Sequence, residues 1–209
     1  NNSALAAVCT QVSRDGSSQN QVAQTTQPQL HWPKEFLPPE PDPRTFTPLL
    51  PPKDRSFGTK NTLVLDLDET LVHSSFKAIT LVDMLIDIEL EGETHTVYVR
   101  KRPWVEDFLA RVSELYEVVV LTASLEVYAD PVLDELDPDG FWVHHRLFRD
   151  SCANLNGNYI KDLSYLGRPL HQVIIIDNAP TSYLFQPRNA LPISSWFDDP
   201  SDTELRDLL

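Results

Sequence analysis

Glycine is scarce in this chain. The six glycines of 209 residues, at positions 16, 58, 92, 140, 157 and 167, are too scattered to build G-x-G-x-x-G or G-x-x-x-x-G-K-[ST]. Classical dinucleotide and Walker-type phosphate loops are thereby excluded. Cysteine is scarcer still: Cys9 and Cys152 supply neither a disulfide framework nor a Cys-rich zinc site, and fit a reducing compartment. No run approaches the roughly 18 apolar residues of a membrane span, so no membrane segment is visible. Ala4 to Cys9 is apolar but short, lacks a basic flank and is not read as a signal peptide. Basic residues are outnumbered 17 to 31, for a net charge of −14. Direct nucleic-acid binding, which draws its affinity from neutralising phosphates, is not expected.

What is present divides at residue 60. Residues 1–59 hold nine of the 17 prolines and five charges of each sign. The run Leu37-Pro38-Pro39-Glu40-Pro41-Asp42-Pro43 lacks backbone donors and favours polyproline II. This segment reads as a disordered tail or linker. Residues 60–209 carry 12 basic and 26 acidic side chains, so the whole net charge belongs to them. A single domain with its own core is expected there. Thr62 to Leu65, Val118 to Leu121 and Val173 to Ile176 are short apolar, β-branched runs, suited to strands covered on both faces of a parallel α/β sheet. Met84, Ile86, Ile88 and Leu90 alternate with polar residues, then Glu91-Gly92-Glu93 turns into Thr96-Val97-Tyr98-Val99, which predicts an antiparallel hairpin. Pro103 is placed to open a helix carrying Val105, Phe108, Leu109, Val112, Leu115 and Tyr116. Ser201-Asp202-Thr203-Glu204 reads as a capping box before a last helix.

The chemistry concentrates where the strands end. Asp66 and Asp68 follow the first run in Leu65-Asp66-Leu67-Asp68-Glu69-Thr70. At spacing two in extended chain, both carboxylates face one side. Two carboxylates at the end of a core strand are costly unless a cation or a proton compensates, and Mg²⁺ takes such oxygens while leaving room for a phosphate. A solvated strand end, with Asp68 as a helix cap, fits the same pattern. A calcium loop does not, because Leu71 and Lys77 stand where Gly and Glu are needed. Thr122 ends the second strand, Asp177-Asn178 the third, and Lys161 lies in Asn158-Tyr159-Ile160-Lys161-Asp162-Leu163. Singly, Thr122 suits a helix cap, Lys161 a partner for Asp162 and Asn178 a turn. Together they supply a nucleophile, an acid, phosphate-holding donors and metal ligands, the inventory of phosphoryl transfer.

Asp66-Leu67-Asp68-Glu69-Thr70-Leu71-Val72-His73-Ser74 resembles the signature of the haloacid-dehalogenase superfamily, in its protein-phosphatase branch. The nearer likeness is to the small phosphatases of the RNA polymerase II C-terminal domain. Arg100-Lys101-Arg102-Pro103, Leu121-Thr122-Ala123-Ser124, Tyr128-Ala129-Asp130-Pro131, Phe148-Arg149-Asp150-Ser151, Ile176-Asp177-Asn178 and Ser195-Trp196-Phe197-Asp198-Asp199 occur in the same order. The likeness covers 60–209 and none of 1–59. It implies an α/β, Rossmann-like fold: a parallel central sheet, helices on both faces and a small antiparallel hairpin insertion, with closing helices beyond Leu209.

The resemblance also implies roles. Asp66 is the nucleophile that forms an aspartyl-phosphate, and Asp68 the acid and then the base. Thr122 and Lys161 hold the phosphoryl oxygens. Mg²⁺ is held by the Asp66 carboxylate, the Asp68 main-chain carbonyl and Asn178, with Asp177 acting through water. Phe76, Ile88, Leu90, Val97, Leu125 and Tyr128 line an apolar pocket that accepts a proline ring, with Arg149 at its edge; ordinary core packing is the other reading of Ile88, Leu90 and Val97. The expected substrate is a phosphoprotein, the Ser-Pro sites of the polymerase repeat, dephosphorylated by a nuclear, intracellular monomer. The loop Cys152-Ala153-Asn154-Leu155-Asn156-Gly157 is less bulky and less basic than in near relatives, and Ala179 replaces a common Ser. Other readings fit less well. No Arg follows either cysteine at the spacing of a cysteine phosphatase. A non-catalytic mitochondrial-import relative would have lost Asp68. A metabolite phosphatase needs a lid between the first motif and Thr122. The membrane-anchored phosphatases that act on lipin-like proteins carry an apolar anchor, not visible in 1–59.

Overall fold

The computed structural model describes Val8 and residues 46–209. In chain order, β1 (Thr62–Leu65) precedes β2 (Val72–Ser75), β3 (Met84–Leu90) and β4 (Glu93–Lys101). Helix α1 (Val105–Leu115), β5 (Glu117–Leu121), α2 (Glu126–Leu136) and β6 (His145–Leu147) follow. The last elements are β7 (Ala153–Leu155), β8 (Asn158–Ile160), β9 (Val173–Asp177), β10 (Ala190–Pro192) and α3 (Glu204–Asp207). The three apolar runs become the centre of a parallel sheet of order β10-β9-β1-β5-β6. Leu65 stands opposite both Val120 and Ile176, so the three strand ends lie level and their following residues emerge together. β1 and β5 are buried along their whole length. On one face Leu63, Leu65, Val118 and Val120 pack with α1 and α2. On the other, Val64, Val119, Leu121 and Ile175 meet Leu163, Leu166 and Tyr183, the first two from a 3-10 helix, Leu163–Leu166. Coverage of both faces explains why these runs do not alternate. Truncating Leu65 to Ala would cost about 2–5 kcal/mol.

The expected hairpin forms as β3 and β4, with Met84 opposite Val99 and Leu90 opposite Glu93. Met84, Ile86 and Ile88 face inward, while Leu85, Asp87 and Glu89 face solvent. β2 adds a third antiparallel strand on β4.

Three local expectations are corrected. Pro103 does not open α1: the helix begins at Val105 after Trp104, its N-cap, which has φ 69°. Arg102 and Val105 close a turn there, Val105 N donating to Arg102 O. The capping box does not form either, since α3 starts after Thr203 with no side-chain cap. Buried Arg102 claims the acids instead. Its Nε and Nη2 donate to the two oxygens of Asp202 at 2.9 and 2.8 Å, and the Glu204 carboxylate accepts from Ser194 N. Third, residues 46–58, assigned by composition to the tail, pack on the domain. Leu50 is buried in the second core cluster, Leu49 N donates to Tyr165 O, and the Phe57 ring meets His144 edge-on at 4.7 Å. Gly167, at φ 75°, makes room for this strap: a Cβ there would stand 2.6 Å from Pro48 Cβ. Prolines dock readily in such a strap because ring faces pack without a donor to satisfy. The rest of the tail reading, residues 1–7 and 9–45, lies outside the described residues. Among the described residues no helix is long and apolar enough to cross a membrane.

Candidate active site

Asp66 leaves β1 with its N–H bonded to Ile176 O, and the chain then turns tightly. Leu67 O accepts from the N–H groups of Thr70, Leu71 and Val72, and Glu69 adopts φ 57°. The turn brings Asp66, Asp68 and Glu69 into one small cleft with Ala123, Lys161, Asn178, Ala179 and Ser182. The D-x-D pair thus lines a single site as its spacing predicts, but the two carboxylates have different partners.

Asp66 Oδ1 accepts from Lys161 Nζ at 2.5 Å, and Oδ2 from Thr70 Oγ1 at 3.2 Å. Lys161 follows β8, and its N–H donates to Ser182 O, which fixes the base of its side chain. The ammonium, 1 % exposed, also donates to Asp177 Oδ2 at 2.6 Å. Burial alone would lower the Lys161 pKa, but Asp177 and Asp66 beside it hold it above the ordinary lysine value. Asp177 ends β9; its other oxygen accepts from Ala179 N. Burial pushes its pKa up to about 6, against the opposing pull of Lys161.

Asp68 is held differently. Ser124 Oγ donates to Oδ2 at 2.7 Å and Tyr128 OH to Oδ1 at 2.6 Å. Among the described residues no ammonium or guanidinium bonds it. Burial, then the charge of Glu69, raise its pKa to about 7, although both hydroxyls oppose the shift. Glu69 is itself raised by burial and is bonded to His73. Thr122 is buried at the end of β5, its Oγ1 accepting from Ser124 N. Asn178 Oδ1 accepts from Thr70 Oγ1 at 3.2 Å, and its Nδ2 donates to Ser195 Oγ. Thr70 thereby ties Asn178 to Asp66.

Among the described residues no group of three or more His, Cys, Asp or Glu side chains is placed to hold a metal. The expected magnesium ligands are of another kind: one carboxylate, one side-chain amide and one main-chain carbonyl. That set fits the ion chemically, because Mg²⁺ takes few hard oxygen ligands from protein and keeps its waters. The electrostatics agree. Asp66 and Asp177 share the Lys161 ammonium, Asp68 and Glu69 line the same cleft without bonding it, and burial raises the pKa of Asp68 and of Asp177.

Of the expected pocket residues, Tyr128 reaches the cleft through its hydroxyl on Asp68, and the others pack in or against the main core. Ile88, Val97 and Tyr128 are buried in one apolar cluster, with Phe76, Leu90 and Leu125 packed against it. Arg149 lies at the edge, its Nε donating to Ala123 O at 2.6 Å and its guanidinium 4.8 Å from the Tyr159 ring centre. The loop at 152–157 is a β7–β8 hairpin turning on Asn156 and Gly157 at φ 53° and 86°. That Asn-Gly pair is a strong turn signal, left unread in the sequence.

Residues 61–209 match the family described as NLI interacting factor-like phosphatase. The chain belongs to that family. It is 56% identical over 161 residues to the human carboxy-terminal domain RNA polymerase II polypeptide A small phosphatase 1, covering 77% of this chain and 61% of the human protein. Identity reaches 60% over 164 residues with a probable C-terminal domain small phosphatase of Dictyostelium discoideum, and 56% over 164 residues with phosphatase PSR1 of Saccharomyces cerevisiae. The matches take in 78% of this chain in both cases, but 52% and 38% of those proteins. The chain therefore spans about two fifths to three fifths of these relatives. The solved structure of Fcp1, an essential RNA polymerase II CTD phosphatase, shares the fold, with TM-score 0.58 at 22% identity over 69% of this chain and 44% of that one. The central parallel sheet is thus the one that the sequence resemblance implies.

Two contributors to the site were not read from the sequence. Ser124 stands in the Leu121-Thr122-Ala123-Ser124 motif with no role implied, and Tyr128 is expected in the pocket for its ring, whereas its hydroxyl serves Asp68. Hydroxyls two and six residues beyond a strand-end Thr are a usable signal only once a carboxylate is known to face them.

Proposed function

We propose that the chain is a Mg²⁺-dependent phosphoserine/phosphothreonine protein phosphatase with an aspartyl-phosphate intermediate. The observation that carries this reading is the divergence of two carboxylates two residues apart. Asp66 is fixed by an ammonium, while Asp68 is buried against hydroxyls with its pKa near 7. Such a split supports one nucleophile and one general acid at neutral pH.

In the first step an Asp66 oxygen attacks phosphorus, and the bond to the serine oxygen breaks. The proton of Asp68 passes to that leaving oxygen. In the second step water attacks the aspartyl-phosphate and gives its proton back to Asp68, and inorganic phosphate leaves with Asp66 regenerated. Lys161 and Thr122 stand at the strand ends to hold phosphoryl oxygens. Asp66, the Asp68 carbonyl and Asn178 would hold Mg²⁺, with Asp177 behind water. When bound, the ion supplies neutralisation of phosphate and carboxylate charge.

An apolar pocket of Phe76, Leu90, Leu125 and Tyr128 beside the cleft would favour a peptide over a metabolite. On likeness to the polymerase-tail phosphatases, the substrate is a Ser-Pro site of the RNA polymerase II repeat, and the setting is nuclear. Phosphopeptides carrying phosphate at each repeat serine, with and without Mg²⁺, test this. Preferential, Mg²⁺-dependent turnover of a phosphoserine followed by proline is expected. Equal turnover at all positions would remove the polymerase assignment, and no turnover of any would remove the phosphatase.

A further inference from the structure

Val8 packs among residues far from it in sequence. It is 1% exposed and belongs to the main core cluster, which also holds Ile88, Val97 and Tyr128 and has Phe76, Leu90 and Leu125 packed against it. Its carbonyl accepts from Leu125 N at 3.3 Å and from Arg149 Nη2 at 3.3 Å. These are the residues proposed to line and edge the substrate pocket. An apolar side chain with a main-chain acceptor beside it is what an extended peptide would also present there. Net charge does not explain the contact, since residues 1–59 carry none; apolar burial and two hydrogen bonds, one of them from the Arg149 guanidinium, do.

We infer that Val8 occupies the pocket beside the catalytic cleft as a tethered competitor of the substrate peptide. The inference rests on the phosphatase reading for its consequence, not for the contact itself. Because Val8 is part of the same chain, its effective concentration is of order mM, so even a weak contact is populated. A substrate that needs the pocket then meets only the vacated fraction, and its apparent KM rises by the reciprocal of that fraction. Half occupancy doubles KM; kcat is untouched, because a bound substrate has already displaced Val8. A small ester such as p-nitrophenyl phosphate uses the cleft alone and escapes the competition.

The test compares the 209-residue wild-type chain with Val8→Asp and Val8→Ile. A carboxylate is poorly accommodated in an apolar pocket, so Val8→Asp should lower KM for a Ser-Pro phosphopeptide at least twofold. Its kcat and its p-nitrophenyl phosphate kinetics should stay unchanged, and Val8→Ile should keep the wild-type KM. Hydrogen exchange supplies a readout independent of turnover: the Leu125 amide should exchange faster in Val8→Asp while the β1 amides stay protected. Unchanged Leu125 exchange, or an unchanged phosphopeptide KM in an active enzyme, would overturn the inference. If no form hydrolyses either substrate, the phosphatase reading fails, and Leu125 exchange still decides whether Val8 docks.

Discussion

β1 and β5 carry a buried polar cluster at each end, and the two clusters are built on opposite principles. At the amino end Glu117 meets Arg168 through two hydrogen bonds of 2.7 and 2.9 Å and also accepts from Thr62 Oγ1 at 2.8 Å. One carboxylate faces one guanidinium, with the His145 imidazole Nε2 3.2 Å from Oε1. Burial pushes the Glu117 pKa up, yet Arg168 and Thr62 outweigh it and hold it at about 2. At the carboxyl end Asp66 and Asp177 share the one ammonium of Lys161, Asp68 is held by hydroxyls and Glu69 by His73, and burial lifts Asp68 to about 7 and Asp177 to about 6. A balanced pair fastens the sheet; an unbalanced set stores a demand for a cation and keeps a proton available at neutral pH. Perturbed groups of the second kind mark functional sites.

The comparison breaks if substitutions at the two ends have the same consequence. Asp66→Asn should lower kcat by on the order of 10³–10⁶, as loss of a nucleophile does, while thermal unfolding still reports a folded domain. Retained turnover would refute the nucleophile. Removing Mg²⁺ with a chelator should lower phosphopeptide turnover by roughly 10²–10⁴, the equivalent of several kcal/mol of lost charge stabilisation, with recovery on adding the ion back.

At the other end the expected loss is in stability. Glu117→Gln leaves Arg168 buried without its counter-charge and should cost about 3–5 kcal/mol in denaturant unfolding, with kcat per folded molecule unchanged. Since the folded pKa of Glu117 lies below its ordinary 4.5, its contribution is complete above pH 4.5 and is lost as pH falls towards 2. The variant should show a flatter stability profile over that window. Smaller still, Tyr128→Phe removes a hydrogen bond that lowers the Asp68 pKa, so the alkaline limb of kcat should move to higher pH. A limb that stays in place would detach Asp68 from the acid role.

How far the sequence revealed these features depended on whether local pattern or tertiary contact created them. β1, β5 and β9 were legible because burial on both faces demands uninterrupted apolar residues, and β3 and β4 because one-sided burial imposes alternation. β2, β6 and β10 were not, since Val72–Ser75, His145–Leu147 and Ala190–Pro192 are too short to show a period and exist through their neighbours. The capping box failed for a similar reason, as Arg102, a hundred residues away, recruits Asp202. Asp66, Asp68, Thr122, Asp177 and Asn178 were visible as polar residues ending apolar strands, and Lys161 through its motif. The hydroxyls of Ser124 and Tyr128 on Asp68, and the burial of Val8, arise only when separate segments meet.

The claim that the carboxylate-rich end of the sheet performs covalent chemistry is most directly tested by trapping. Enzyme quenched in acid during phosphopeptide turnover, then digested and mapped by mass spectrometry, should carry a hydroxylamine-labile phosphate on the peptide containing Asp66. The label should be absent from Asp66→Asn. A phosphate mapped to another residue, or an active enzyme that never becomes labelled under quench, would contradict the account.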